Sequence, residues 1–201
     1  MLKRIHLKDF KSFVDEEVEV APLTLLVGAN ASGKSNFLDA IRFLQGLSYF
    51  LKLSEVLNGE TRARPDAWPG LRGRAEESAR LGTEAFTVDT TWLTPECLMQ
   101  RTDQIEIRHF ITSLISPIVA IGKETFDELN GQSATSEAGR SRSIMTDYDH
   151  LRSLTSLERN LVISLRESLQ KIRFLGIDPS SMRGYGRRDK HLGEDGKNIS
   201  G

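Results

Sequence analysis

The sequence predicts an α/β fold: a strand, a glycine-rich turn and a helix make one unit, and an antiparallel β-subdomain sits beside it. Three observations carry this. The stretch LVGANASGKSNFLDAI, residues 26–41, sets glycines and a lysine at fixed offsets. An apolar run leads into it and a helical apolar stripe leads out of it. Downstream, several short segments alternate apolar and polar residues in succession, as the strands of a meander do.

Taken in order, residues 2–8 (LKRIHLK) alternate like a half-buried strand, DFKSF turns, and EEVEV forms a second strand. The run PLTLLVG suits a buried strand over 23–28 that feeds the turn. A helix follows over 34–57, with Gly46 as a point of interruption. Phe37, Ala40, Ile41 and Leu44 recur at helical spacing, and Leu38 and Leu47 widen the apolar face. Residues 58–83 are rich in glycine, proline and arginine and read as a loop, with a short helix around 75–80. Strands are expected at 84–93, 104–112 and 117–124. The polar stretch NGQSATSEAGRSRS, 130–143, reads as a flexible loop. Leu154, Leu161, Leu165, Leu169 and Ile172 make a core stripe on a helix over 151–172, and IRFLGIDP reads as a strand stopped by Pro179.

Gly28-Ala29-Asn30-Ala31-Ser32-Gly33-Lys34-Ser35 fits G-x-x-x-x-G-K-[ST] without a gap. The chemistry needs these residue types. Gly28 and Gly33 let the backbone turn tightly and approach phosphate oxygens with no Cβ in the way. The loop's N–H groups then point inward as an anion cradle, and the following helix adds its partial positive charge. Lys34 reaches the β- and γ-phosphates. The Ser35 hydroxyl takes one position on Mg²⁺, so ATP with Mg²⁺ is the expected ligand.

Bulk properties narrow the class. The formal net charge is −1, so no overall field recruits nucleic acid. Cys97 is the only cysteine, which excludes an internal disulfide and a thiolate metal cluster. His6, His109, His150 and His191 are scattered, none at metal-ligand spacing. The charged start MLKRIHLKDF is no signal peptide, and no apolar window is long enough to span a membrane, so a soluble cytoplasmic protein is expected.

A hydrolase of this kind also needs a carboxylate after a second buried strand, for the metal and the attacking water. FTVD, ending at Asp89, and FLGID, ending at Asp178, are the two weak matches. The run RGYGRRDKH brings Arg183, Arg187 and Arg188 near one another, as a lid over phosphates would.

LKRIHLKDFKSF followed by LTLLVGANASGKSNFLDAIRFLQ resembles the amino-terminal lobe of ABC-type ATPase heads of the SMC, RecF and OLD group, nearest a stand-alone bacterial and archaeal branch. WPGLRGRAEE and LGEDGKNISG also look like segments of that branch. The resemblance implies a P-loop NTPase fold with an antiparallel β-subdomain over 1–201, followed in complete members by a second lobe carrying the signature motif and the Walker B acids. It implies two heads sandwiching two ATP molecules as a homodimer. Its members act in DNA repair, chromosome maintenance or defence against phages, often beside a nuclease partner. Gly28, Asn30, Ser32, Gly33, Lys34, Ser35 and Asn36 match its nucleotide grip, with Lys34 in the catalytic role, and Lys11 and Ser12 match a turn that approaches the nucleotide. Asp39 matches its helix pattern, and Arg72 and Arg183 fit arginine positions without an evident role. Gln45, Gln100, Gln104, Gln132 and Gln170 are undistinguished candidates for its Q-loop glutamine. DNA contact would fall to the locally basic residues 62–80 and 183–190.

Three readings therefore stand: the ATP-binding lobe of such an ATPase, a small P-loop phosphotransferase with an arginine lid, and a non-hydrolysing nucleotide switch subunit.

Overall fold

The computed structural model describes residues 1–61, 65–93, 98–108, 118–128, 133–136, 139–143 and 145–174. Met1–Gln170 form one compact unit; Lys171–Gly201 form a second, of which 171–174 are described. In the first unit, six strands pair antiparallel in the spatial order β2-β1-β3-β4-β5-β6. They are β1 (Leu2–Lys8), β2 (Asp15–Glu19), β3 (Ala85–Leu93), β4 (Leu98–Arg108), β5 (Ile118–Glu128) and β6 (Ser133–Ser136). The helices are α1 (Lys34–Leu47), α2 (Leu53–Asn58), α3 (Tyr148–Ser153) and α4 (Ser156–Gln170), with a 3₁₀ turn at Ala75–Glu77.

The period-2 alternation of the strands sorts their side chains between two faces. Ile5, Leu7, Phe86, Val88, Ile105, Ile107 and Ile121 are buried on the inner face. Helix α1 lies against that face: Phe43 meets Phe86 edge-to-face at 5.3 Å, and Phe10 meets the same ring at 5.1 Å. Leu161, Leu165 and Leu169 of α4 are buried as the stripe predicts.

Both expected long helices are broken. The helix expected over 34–57 ends at Leu47 and restarts at Leu53. Gly46 is not the break but lies inside α1. A Cβ there would come within 2.6 Å of Val56 Cγ1 and 3.0 Å of Trp68 Cζ2, so the missing side chain is what lets α2 and Trp68 pack. Trp68 Nε1 then donates to the Val56 carbonyl at 2.9 Å and ties the 58–83 loop to α2. The helix expected over 151–172 divides at Leu154–Thr155. There Glu158 accepts from the Thr155 N–H at 2.8 Å and Thr155 Oγ1 accepts from the Glu158 N–H at 3.3 Å, a capping box that starts α4.

Three strand expectations are corrected. Residues 23–28 are not a paired strand: Leu23, Leu25 and Val27 are 84%, 72% and 79% exposed, and none of the six strands pairs with the segment. Strand β4 begins at Leu98 rather than 104, because its inner-facing positions there are Arg101 and Asp103, which break the apolar alternation. Strand β6 lies within the expected 130–143 loop; backbone pairing to β5 makes it a strand despite its polar composition. The strand expected at 174–178 lies outside the described residues from 175 on.

Charge is handled differently on the two faces. Inside, Arg101 binds Asp103 through two bonds of 2.6 Å and Glu124 at 3.1 Å, and Ser143 Oγ donates to Glu124 at 2.6 Å. Burial raises the Asp103 carboxyl against the pull of the Arg101 charge. Outside, His6 stands opposite Asp89 in the β1–β3 register. Its Nε2 lies 2.5 Å from Asp15 and its Nδ1 3.2 Å from Asp89. Carboxylates only accept, so both ring nitrogens donate when His6 is an imidazolium. The Asp15 bond raises the His6 pKa above 6.5, burial opposes it, and Asp89 adds to the rise. The same bond lowers Asp15 below 3.8.

Two outcomes follow from this packing. Gly46→Ala should destabilise the fold by about 1–3 kcal/mol through overpacking against Val56 and Trp68, read as a lower denaturant midpoint. The His6 network should stabilise fully below pH 6.5, the ordinary histidine value, and fade as pH rises through the raised folded pKa. Asp15's share is present above 3.8 and fades as pH falls through its lowered value. A series of urea melts across this range should show that alkaline loss, and His6→Gln should remove it.

Candidate functional site

The glycine-rich loop, residues 28–35, ends on the first turn of α1, whose N-cap is Gly33 in the left-handed region (φ 89°). Ala31 also sits there (φ 64°). No acidic side chain stands in that first turn, so the helix terminus keeps its partial positive charge. A Cβ on Gly28 would come within 2.8 Å of Ser32 Oγ. The loop curls round its own lysine: Lys34 Nζ donates to the carbonyls of Gly28 at 2.7 Å and Ala29 at 2.5 Å, and to Ser32 Oγ at 3.3 Å. Asn30 is exposed at the turn and Ser35 is exposed on the first helical turn.

The FKSF turn is fastened to this loop. Phe13 packs on Gly33, where a Cβ would lie 3.3 Å from its ring. Asn36 Nδ2 donates to Ser12 Oγ at 2.8 Å. The turn is fixed from behind by residues 78–80: Lys11 N–H donates to the Ser78 carbonyl at 3.0 Å, Phe10 bridges to Ala79, and Arg80 binds the Asp9 carboxylate at 2.8 Å. Asp9 and Lys11 both adopt positive φ, near 50°.

Beneath the turn lies Asp39, one turn of α1 after Ser35 and with no solvent exposure. Lys11 Nζ reaches it at 3.0 Å, Arg72 binds both its oxygens through Nε and Nη2 at 2.8–3.3 Å, and Arg42 stands 3.9 Å away. Lys11 also donates to the Arg72 carbonyl at 2.5 Å, and Arg72 Nη2 donates to Asn36 Oδ1 at 3.0 Å. The structure thus brings Lys11, Ser12, Gly28, Ser32, Gly33, Lys34 and Asn36 into one cluster. It aims the Lys11 ammonium at Asp39. Arg72 is the residue whose part sequence reasoning missed; its position in WPGLRGR carried no periodic signal.

Other sequence candidates lie away from this cluster or outside the described residues. Asp89 sits mid-strand on the outer face, accepting from Thr102 at 2.6 Å and facing His6, and does not end a strand beside the loop. Gln45 and Gln170 are spent on backbone carbonyls of Leu169 and Ser48. Within the basic stretch 62–80, Arg72 and Arg80 are in ion pairs. Asp178, Arg183, Arg187, Arg188, His109, His191 and Cys97 lie outside the described residues. Among the described residues no His, Cys, Asp and Glu group could hold a metal ion, and no helix is long and apolar enough to cross a membrane. An open depression of about 460 Å³, lined by Phe50, Arg140, Arg142 and Asp147, includes no residue of the loop.

A phosphate loop wrapped on its lysine at a helix N-terminus, beside an antiparallel subdomain, defines the P-loop NTPase class. The chain belongs to the AAA ATPase domain family, which matches residues 1–130. It is 40% identical over 70 residues to the DNA replication and repair protein RecF of Synechocystis sp., covering 31% of this chain and 18% of that one. It is 32% identical over 91 residues to the OLD nuclease of Thermus scotoductus, covering 45% of this chain and 13% of that one. The chain therefore spans less than a fifth of these relatives' length. A structure of the recombination mediator protein RecF with ATP aligns with a TM-score of 0.36 and 16% identity, over 92% of this chain and 34% of that one.

Asp39→Ala should cost about 3 kcal/mol of stability, because Lys11 would be left nearly buried without its counter-charge. Equilibrium denaturation of the variant checks this; a shift within error would show that the cluster carries no net weight.

Proposed function

We propose that this chain is the ATP-binding lobe of a RecF-, SMC- or OLD-like ATPase head. The observation that carries it is the Lys34 ammonium, ringed by three oxygens of its own loop at the N-terminus of α1. The residues fit a nucleotide. Gly28 and Gly33 leave open a cradle that a Cβ would fill, and the helix terminus favours anionic phosphates. Lys34 would neutralise the β- and γ-phosphates, and the exposed Ser35 hydroxyl would hold Mg²⁺. When bound, Mg-ATP would supply the phosphoanhydride whose cleavage the family's complete enzymes use. The chain's own residues bind and orient it: Lys34 by charge, Asn36 by holding the Ser12 turn against Gly33.

The exposed apolar segment at 23–27 supports the same reading. A segment that feeds a phosphate loop and shows three large apolar side chains to water suits coverage by further sheet, such as a second lobe would bring. In that complete state two heads would dimerise through ATP. The likeness to a replication and repair protein and to a nuclease supports a role in DNA repair and maintenance or in defence against phages, in the cytoplasm, beside DNA or a nuclease partner.

Lys34→Ala in the full-length protein should abolish tight ATP binding measured by titration calorimetry, with the fold retained by circular dichroism. An unchanged affinity would remove the assignment of the loop.

A further inference from the structure

We propose that Arg72 is a positioning residue of the nucleotide site, which acts through Asn36 to make Ser12 a hydrogen-bond donor toward a phosphate oxygen. This rests on the nucleotide reading above. The chain of reasoning is one of donor and acceptor counts. A guanidinium can only donate. Arg72 Nη2 stands 3.0 Å from the Asn36 side-chain amide, so the amide must turn its oxygen to Arg72. Its nitrogen then faces Ser12 Oγ, at 2.8 Å, and donates. Ser12 Oγ accepts that bond with a lone pair, and its own proton remains to be given to another acceptor.

The place where that proton is offered is defined. Ser12 is exposed, and a Cβ on Gly33 would lie 3.8 Å from its oxygen, so the hydroxyl stands against the last glycine of the phosphate loop. The surroundings favour an anion: the α1 N-terminus, Lys34 and the surplus of cations over the single Asp39 carboxylate. A neutral donor there complements a phosphate oxygen, whereas a serine whose proton was spent on Asn36 would present lone pairs to it. Arg72 therefore sets, across two side chains, the polarity of a group it does not touch. The WPGLRGR loop gains a role in the site without reaching the ligand.

The test measures Mg-ATP affinity in the full-length protein. Ser12→Ala should weaken it about tenfold, the size of one lost hydrogen bond to a charged group. Asn36→Asp keeps a partner for Arg72 but accepts on both sides, so it takes the Ser12 proton and should weaken binding at least as much. Arg72→Met should cause a smaller loss, since Asn36 is then free to flip. Arg72→Lys, still a pure donor, should recover most of it. The Arg72→Met and Ser12→Ala losses should not add in the double variant. Asp39 keeps Lys11 and Arg42 in the Arg72 variants, so the fold should hold; were Arg72→Met to unfold, Asn36→Asp decides alone. Full additivity, or an Asn36→Asp variant that binds as tightly as the parent, would overturn the proposal. Unaltered binding in Lys34→Ala would instead overturn the nucleotide reading beneath it.

Discussion

One carboxylate organises the nucleotide end of this molecule. Asp39 has no contact with water, and Lys11, Arg72 and Arg42 converge on it from a turn, a loop and its own helix. A buried anion has to be matched by nearby cations, and matching it fixes where those cations' parent segments can lie. The FKSF turn is held over α1 because its lysine has this destination. The loop after α2 is held there because its arginine has the same one. Lys11 and Arg72 lie 61 residues apart in the chain, and the shared carboxylate is what makes them neighbours.

Much of this was legible beforehand. The loop followed from its motif spacing, and its flanking helix, β1, β2 and β3 from periodicity and alternation, most plainly in β1 and β3, where Ile5, Leu7, Phe86 and Val88 share one buried side. The misses have physical reasons. Strand β4 hides its start because Arg101 and Asp103 satisfy each other inside the core, and a charge pair buried in this way is invisible to a pattern of apolar residues. Strand β6 is defined by its backbone pairing to β5, to which side-chain composition gives no clue. The segment 23–27 misled in the opposite sense, since its apolar residues stand exposed among the described residues. At the site, the loop residues could be named from their motif, but Arg72 could not: nothing along the chain says that Asp39 is short of a partner until the fold brings the two together.

The sheet shows two solutions to one problem. Its inner face buries Arg101 against two carboxylates, one of which also accepts from Ser143. Its outer face carries His6 between Asp15 and Asp89, wet and dependent on the histidine's proton. In the first, the guanidinium keeps its charge over the ordinary pH range, while burial raises the Asp103 carboxyl beside it. The second is a surface tie whose strength follows pH, and it joins β1, β2 and β3, the strands nearest the FKSF turn.

The strand order β2-β1-β3 has a consequence for how the molecule is made. β1 and β2 are close in sequence and can pair as soon as both have left the ribosome. The other edge of β1 waits for β3, some 80 residues later, and so does the Phe10–Phe86 contact that seats the turn. Synthesis at about 5–20 residues per second makes that an interval of several seconds. Throughout it the phosphate loop exists as a sequence without a frame, and an open β1 edge stands beside a run of exposed leucines. The motif that announces the molecule's chemistry thus emerges well before the strand that frames it.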